Sequence, residues 1–261
     1  MSLPSPPPSS SAAVVAALRA AGCVFAEDEA ALLLAGADDP TGLAAALARR
    51  VAGEPLEHVL GWARFHGLRI QVGPGVFVPR RRTEVLADEA IARTCPGSVV
   101  VDLCCGSGAV GAAVAAAVPG IELHAADVDP AAVGWARRNL PGGHVHTGDL
   151  FAALPARLRG RIGVLVANAP YVPTTAIALM PPEARDHEPA AALDGGDDGL
   201  AVLRRIVAGA PQWLAPGGAV LFETGTHQVA VATEAVRAAG LTPVVVEDAD
   251  RGATVVVGSR D

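Results

Sequence analysis

Residues 99–111 read V-V-V-D-L-C-C-G-S-G-A-V-G, and this stretch constrains the fold more than any other. Three valines and a leucine, closed by Gly106 and Gly108 and followed by the alanine-rich run 109–118, spell a buried parallel strand, a tight turn and a helix. Glycines in such a turn let backbone N–H groups approach a ligand. The helix N-terminus adds unpaired donors and a partial positive charge that suit an anionic group.

As a bare pattern, Gly106-Ser107-Gly108-Ala109-Val110-Gly111 fits the G-x-G-x-x-G of nicotinamide and flavin dinucleotide sites. Asp102 separates the readings. At the end of the strand, just before the loop, its charge repels a pyrophosphate and suits a ligand with an ammonium group. S-adenosyl-L-methionine carries an ammonium, a sulfonium and a single carboxylate. Its ribose calls for an acid at the end of the next strand, and Asp127 closes the run 121–126 at the expected separation of roughly twenty residues. S-adenosylmethionine is therefore preferred to a dinucleotide, with an Asp102 that merely caps a turn as the remaining alternative.

Downstream, strand-like runs at 99–103, 121–126, around Val145, and at 162–167, 219–223, 242–247 and 254–258 alternate with helical runs at 109–118, 131–139, 200–214 and 228–239. Asp129-Pro130 starts one helix with a cap and a first-turn proline, and Pro216-Gly217-Gly218 stops another. The pattern predicts an α/β fold: a doubly wound, seven-stranded, mostly parallel, Rossmann-like sheet with its ligand at the carboxyl edge. Upstream, residues 1–11 are rich in proline and serine and read as a disordered tail. Helical spacing at 12–21, 27–35 and 41–52 predicts a small N-terminal helical domain over 12–62. Residues 63–79 read as a linking β-hairpin, with strands at 64–72 and 76–78 around the turn signal Gly73-Pro74-Gly75, and 80–261 as the ligand-binding domain. The run Arg80-Arg81-Arg82 is either a solvated helix start with Thr83 as N-cap, or a surface that meets an acidic partner or lines the cofactor site.

Several classes of function are disfavoured. The formal net charge of −7 speaks against sequence-independent nucleic-acid binding, which rests on neutralising phosphates. All 20 basic residues are arginine, so Schiff-base chemistry, pyridoxal phosphate attachment and the P-loop are excluded. The four cysteines form no C-x-x-C pair and the seven histidines no zinc spacing, so no metal is implied; His144 and His146 read as exposed strand-end residues. No apolar run approaches the roughly eighteen residues of a membrane span, and no signal-peptide pattern is present, so a cytoplasmic protein is expected.

A sheet of this topology brings Asp102, Asp127, Asp149 and Asn168 to one edge. Asp149, in Gly148-Asp149-Leu150-Phe151, is placed to accept the adenine amino group while Leu150 or Phe151 packs on the ring; a plain turn residue is the alternative. The run 162–167 leads into Asn168-Ala169-Pro170-Tyr171, which contains one of only two asparagines and the only tyrosine. An amide nitrogen is a poor nucleophile because its lone pair is delocalised. Two acceptors on its N–H bonds hold it in place and return electron density to nitrogen. The Asn168 side-chain oxygen and the Ala169 carbonyl are candidates for those acceptors, with Pro170 stiffening the turn and Tyr171 offering an aromatic face to the amide and the sulfonium.

At these residues the chain resembles the release-factor glutamine methyltransferases (HemK/PrmC-like) of the class I S-adenosylmethionine-dependent fold. Asn168-Ala169-Pro170-Tyr171 is similar to the family's N-P-P-Y, and Val78-Pro79-Arg80-Arg81-Arg82-Thr83-Glu84 to its I-P-R-P-x-T-E. Further matches are Gly53-Glu54-Pro55-Leu56, Phe65-His66-Gly67, Glu188-Pro189 with the stretch from Ala192 to Leu200, and Glu223-Thr224-Gly225-Thr226-His227-Gln228. The likeness runs from residue 53 to about 258. It implies methyl transfer to the amide of the G-G-Q glutamine of a peptide-chain release factor, with no membrane, nucleic-acid or metal partner. The resemblance places the cofactor near Asp102, Gly106, Gly108, Asp127 and Asp149 and the substrate amide at Asn168, the Ala169 carbonyl and Tyr171; taken with the reading of the residues, the expected cofactor set is Asp102, Cys104, Gly106, Gly108, Asp127, Asp149, Leu150 and Asn168, and the expected catalytic set Asn168, Ala169, Pro170 and Tyr171. Two departures stand out: Ala169 replaces a proline, and the N-terminal helical region, which docks on the release factor in the family, is short. An amino-methyltransferase of a small molecule or nucleobase, a non-catalytic cofactor-binding paralogue and an NAD-linked reductase are the alternatives.

Overall fold

Four helices come first in the computed structural model, which describes residues 10–261. They are α1 (Ser11–Ala20), α2 (Ala26–Gly36), α3 (Pro40–Val51) and the single turn α4 (Leu56–Leu60), which the periodicity does not predict because five residues carry too little pattern. Asp39 accepts the Gly42 N–H at 2.7 Å and Pro40 fills the first turn of α3. Ser10 caps α1, so helix begins inside the segment expected to be a disordered tail; residues 1–9 of that segment lie outside the described residues. Val14, Leu18, Ala30, Leu33, Leu43 and Leu47 form a core separate from the one under the sheet.

The hairpin is shifted from its expected register. β1 (Trp62–Phe65) pairs antiparallel with β2 (Leu68–Gln71), and the chain reverses at His66-Gly67 with His66 at φ +48°. Arg64–Val72 is thus not one strand, and Val76 and Val78 are buried but outside any strand. Gly73-Pro74-Gly75 instead lays Gly73 against Trp135, where an added Cβ would lie 2.5 Å from the indole.

Beyond a 3₁₀ turn at Arg81–Thr83 the chain alternates: α5 (Glu84–Ala92), β3 (Val99–Leu103), α6 (Ala109–Ala117), β4 (Glu122–Asp127), α7 (Pro130–Asn139), β5 (His144–Thr147) and β6 (Ile162–Ala167). Two short helices, α8 (Pro182–His187) and α9 (Ala190–Leu193), then precede α10 (Ala201–Trp213), β7 (Leu214–Glu223), α11 (Val229–Ala238), β8 (Thr242–Asp248) and β9 (Ala253–Ser259). The helix α10 ends before Pro216-Gly217-Gly218, which runs within β7.

The sheet order is β5-β4-β3-β6-β7-β9-β8, parallel except for β9, which runs antiparallel to both its neighbours. The sheet is therefore the doubly wound, mostly parallel one its sequence predicts. Both faces are covered: Val100, Val164 and Leu221 pack on one side, while Val101, Leu165 and Phe222 pack on the other. Leu103 is in register with Ala126 of β4 and Ala167 of β6, so the loops after β3, β4 and β6 leave the sheet side by side. At the β5 edge His144 and His146 stack on the buried His124 with ring centroids 4.7 and 5.3 Å apart; His144 is the exposed first residue of β5, as expected, whereas His146 is half-buried within the strand. Among the described residues no helix is long and apolar enough to cross a membrane.

Candidate active site

Those adjacent loops enclose a cavity of about 750 Å³, within the range of small-molecule sites. One wall is the β3–α6 turn. Cys104 and Gly106 adopt positive φ values of +55° and +54°, and an alanine Cβ at Gly106 would meet no atom within 4 Å. Gly108, at φ +78°, does not line the cavity: it faces Leu140 and Ala136, where an added Cβ would come within 2.9 Å of Leu140 Cδ1.

The acids at the strand ends are held by backbone. Asp102 is buried, and its Oδ2 accepts the Gly111 N–H at 3.0 Å across the first turn of α6. Burial pushes its carboxyl up to about 7, opposed by the Gly111 donor and reinforced by the nearby Asp127 charge. Asp127 accepts from Gly106 N at 2.9 Å and Asp129 N at 3.0 Å; burial raises its carboxyl too, against those two donors. Asp149 is half exposed and pairs with Arg205 at 2.5 Å. Leu150 lines the cavity at φ +48°, whereas Phe151 leaves it and stacks on Trp213. Left-handed backbone at Cys104 and Leu150, two non-glycine residues that line the cavity, is strain of the kind found at ligand sites.

Asn168, Ala169, Pro170 and Tyr171 line the same cavity from the end of β6. The structure binds them to distant segments. Glu223, 2% exposed at the end of β7, accepts the Tyr171 hydroxyl (2.8 Å) and Arg82 Nε (2.8 Å) on Oε1 and the Thr83 hydroxyl (2.6 Å) on Oε2. Thr83 therefore does not cap α5. Burial and the Glu223 carboxylate hold the Tyr171 phenol well above its usual range. Buried Gln228 donates to the carbonyls of Tyr171 (3.0 Å) and Asp198 (2.9 Å) and accepts from Thr224 Oγ1 and Gly225 N, both at 3.0 Å. Glu188, its side chain fully buried, accepts from Val78 N at 3.1 Å and Arg80 at 2.6 Å. Of the three consecutive arginines, Arg80 and Arg82 line the cavity and pair with the buried carboxylates of Glu188 and Glu223 behind it, while Arg81 is exposed and does not line it, so both readings of that run apply to different members.

Thr83, Glu223 and Gln228 carry no role in the strand-end reading of the sequence. Their only signal there is their place in the family-like strings around Thr83-Glu84 and Glu223 to Gln228. The wall contributed by Met180, Pro181, Glu183 and Ala184 was likewise unmarked.

The donor set suits S-adenosylmethionine better than a diphosphate. A diphosphate over the turn would face the Asp102 and Asp127 carboxylates, whereas an ammonium and ribose hydroxyls find acceptors in them. The open space at Gly106 lets a ligand approach the backbone.

Comparison with known proteins follows the same line. The family model for a methyltransferase small domain matches residues 68–180. A release factor glutamine methyltransferase of Streptomyces coelicolor is 45% identical over 188 residues, 70% of this chain and 66% of that one. Another, from Geobacter sulfurreducens, is 37% identical over 218 residues, 82% of this chain and 76% of that one. The 4-amino-L-phenylalanine/4-methylamino-L-phenylalanine methyltransferase of Streptomyces pristinaespiralis is 37% identical over 203 residues, 74% of this chain and 68% of that one. Among solved structures, a Pyrococcus furiosus methyltransferase matches with a TM-score of 0.56 at 18% identity, over 74% of this chain and 89% of that one. A T. thermophilus 16S rRNA N2 G1207 methyltransferase, solved with AdoMet and guanosine, matches with a TM-score of 0.55 at 20% identity, over 77% of this chain and half of that one.

Proposed function

The chain belongs to the release factor glutamine methyltransferase family, a class of S-adenosylmethionine-dependent enzymes, and from that premise we propose that it methylates the side-chain amide of the G-G-Q glutamine of a peptide-chain release factor. When bound, S-adenosylmethionine supplies a methyl carbon made electrophilic by its sulfonium. On this reading Asp102 takes the ammonium, Asp127 the ribose hydroxyls and Leu150 one face of the adenine, with Asp149 reaching the adenine amino group if it leaves Arg205. Cys104 and Gly106 shape the turn beneath them.

The glutamine amide is held by two acceptors, Asn168 Oδ1 and the Ala169 carbonyl, which align its nitrogen and enrich it in electron density. The nitrogen would gain the methyl group as the methyl–sulfur bond breaks and its electron pair stays on sulfur, and would give up one N–H proton to solvent. No strong base is needed, and none is offered: the Tyr171 hydroxyl is committed to Glu223, and burial keeps the Cys104 thiol protonated. Tyr171 contributes its ring to the wall, with Pro170 limiting the freedom of the turn.

The carrying observation is that Asn168 to Tyr171 and the glycine turn line one cavity while Glu223 and Gln228 brace the quartet. The accompanying division of the chain is a helical unit over 12–62, a linker over 63–79 and a catalytic unit over 80–261. A translation factor as substrate places the protein in the cytoplasm. The test is transfer of labelled methyl to a release factor and to the same factor with its G-G-Q glutamine replaced. Label in the first alone is expected, and equal label in both removes the substrate assignment. The relative that acts on 4-amino-L-phenylalanine favours a second reading, a small-molecule amine as acceptor; label on free aryl amines in place of the release factor selects it.

A further inference from the structure

The Thr83 hydroxyl lies between two residues far away in sequence: its oxygen is 2.6 Å from Glu223 Oε2 and 3.5 Å from Asn168 Nδ2. Thr83 and Glu223 are each 2% exposed, so this is a buried chain of polar groups. A hydroxyl has one proton, and an ionised carboxylate only accepts. The Thr83 proton therefore points at Glu223. What Thr83 turns toward Asn168 is a lone pair, which attracts the amide NH₂ and repels the amide oxygen. The other carboxylate oxygen is occupied by Arg82 Nε and the Tyr171 hydroxyl, both at 2.8 Å, so Glu223 is fixed in place. At 3.5 Å the contact with Asn168 is at the long end of hydrogen bonding; it acts by orienting a dipole rather than by bond strength.

An asparagine amide can sit either way round, and here only one way is useful. With Nδ2 toward Thr83, Oδ1 is the end left to accept an N–H, and it has no protein partner among the described residues. Reversed, the amide would present N–H to N–H. We propose that Glu223, acting through the Thr83 hydroxyl, selects the orientation of Asn168 that offers its oxygen to the substrate amide. Thr83 and Glu223 are then positioning residues and take no part in bond making. The inference rests on the reading of Asn168 given above.

Its test combines turnover with a readout independent of activity. In Thr83→Val, kcat on a release factor is expected to fall about tenfold or more, with KM for S-adenosylmethionine within about twofold; Thr83→Ser, which keeps the oxygen, brings kcat back to within about threefold of wild type. The chain has two asparagines, so ¹⁵N-asparagine labelling gives two side-chain NH₂ pairs. Asn139, bonded to the Gln71 and Ser107 carbonyls, serves as internal reference. Thr83→Val should shift the Asn168 pair alone, and Thr83→Ser should return it. If Thr83→Val does not fold, Glu223→Gln is measured in its place, with the same loss of kcat and the same shift expected.

Wild-type kcat together with an unmoved Asn168 pair overturns the inference while leaving the release-factor assignment intact. Equal loss of kcat in the valine and serine variants also overturns it, because a packing role alone would explain that. A wild-type enzyme inactive on release factors, with the Asn168 pair still responding, refutes the substrate instead and upholds the orientation.

Discussion

Replacing Gly106 and Gly108 by alanine, one at a time, should break two different properties of one turn. Both residues have positive φ, +54° and +78°, and a left-handed conformation costs an L-residue about 1–2 kcal/mol. At Gly106 that is the whole folding cost, because the new methyl group meets no protein atom within 4 Å. At Gly108 the methyl group comes within 2.9 Å of Leu140 Cδ1, 3.1 Å of its Cγ and 3.4 Å of the Ala136 Cα, and Leu140 is only 4% exposed. Overpacking of this kind adds about 1–3 kcal/mol, for a total of about 2–5 kcal/mol. At about 2–4 °C per kcal/mol in a chain of this size, Gly108→Ala should lower Tm by about 4–20 °C, and Gly106→Ala by about 2–8 °C. Binding should order them oppositely. A ligand at about a hundred times its Kd stabilises by about 2.7 kcal/mol. Gly108→Ala should keep that increment, and Gly106→Ala should lose most of it, because its methyl group stands on the cavity wall. Scanning fluorimetry with and without S-adenosylmethionine, and calorimetry for Kd, measure both quantities. Wild-type affinity in Gly106→Ala, or wild-type Tm in Gly108→Ala, would refute the assignment of the two glycines.

Asn168→Ala should reduce kcat by about a hundredfold or more, as when one preorganised hydrogen-bonding group is removed from an active site, while calorimetry gives an unchanged Kd for the cofactor. Asp102 has a folded-state pKa raised from 3.8 to about 7; the proton it holds in the folded state contributes stability that is complete below about 4 and lost as pH rises to 7. The ligand-free protein should thus lose stability across that window. Asp102→Asn should flatten the slope in denaturant titrations at several pH values, and an unchanged slope would remove Asp102 as its source. Arg50 is 9% exposed and pairs with Glu29 at 2.6 Å and with Glu183 of α8 at 3.4 Å. Arg50→Met strands a partly buried carboxylate and should cost about 3 kcal/mol, read as a lower unfolding midpoint in urea.

The parts of the site that one segment builds were legible in the sequence. Valines, an acid and three glycines within thirteen residues imply a strand, a turn and a charge at its rim, and Asp102 and Asp127 lie where that logic puts them. The hairpin was not legible because its turn signal is the single glycine of His66-Gly67, both at positive φ, which the denser Gly73-Pro74-Gly75 outweighs, although Gly73 serves close packing on Trp135 instead. Asp149 was expected to be free for a ligand, and nothing local announces that Arg205 reaches it. The quartet's bracing was the least legible part. Thr83 and Glu223 are 140 positions apart, and a buried carboxylate shared by three donors leaves no periodic trace.

That bracing also bears on how the nascent chain matures. The quartet at 168–171 leaves the ribosome after Thr83 and after the strands carrying Asp102 and Asp127, but before two of the residues that secure it, Glu223 and Gln228. A product ending before residue 223 would lack the Glu223 and Gln228 anchors of that loop together with β8 and β9 of the sheet. The quartet is thus fixed only once the chain has reached Gln228, well after the segments that form the glycine turn have been made.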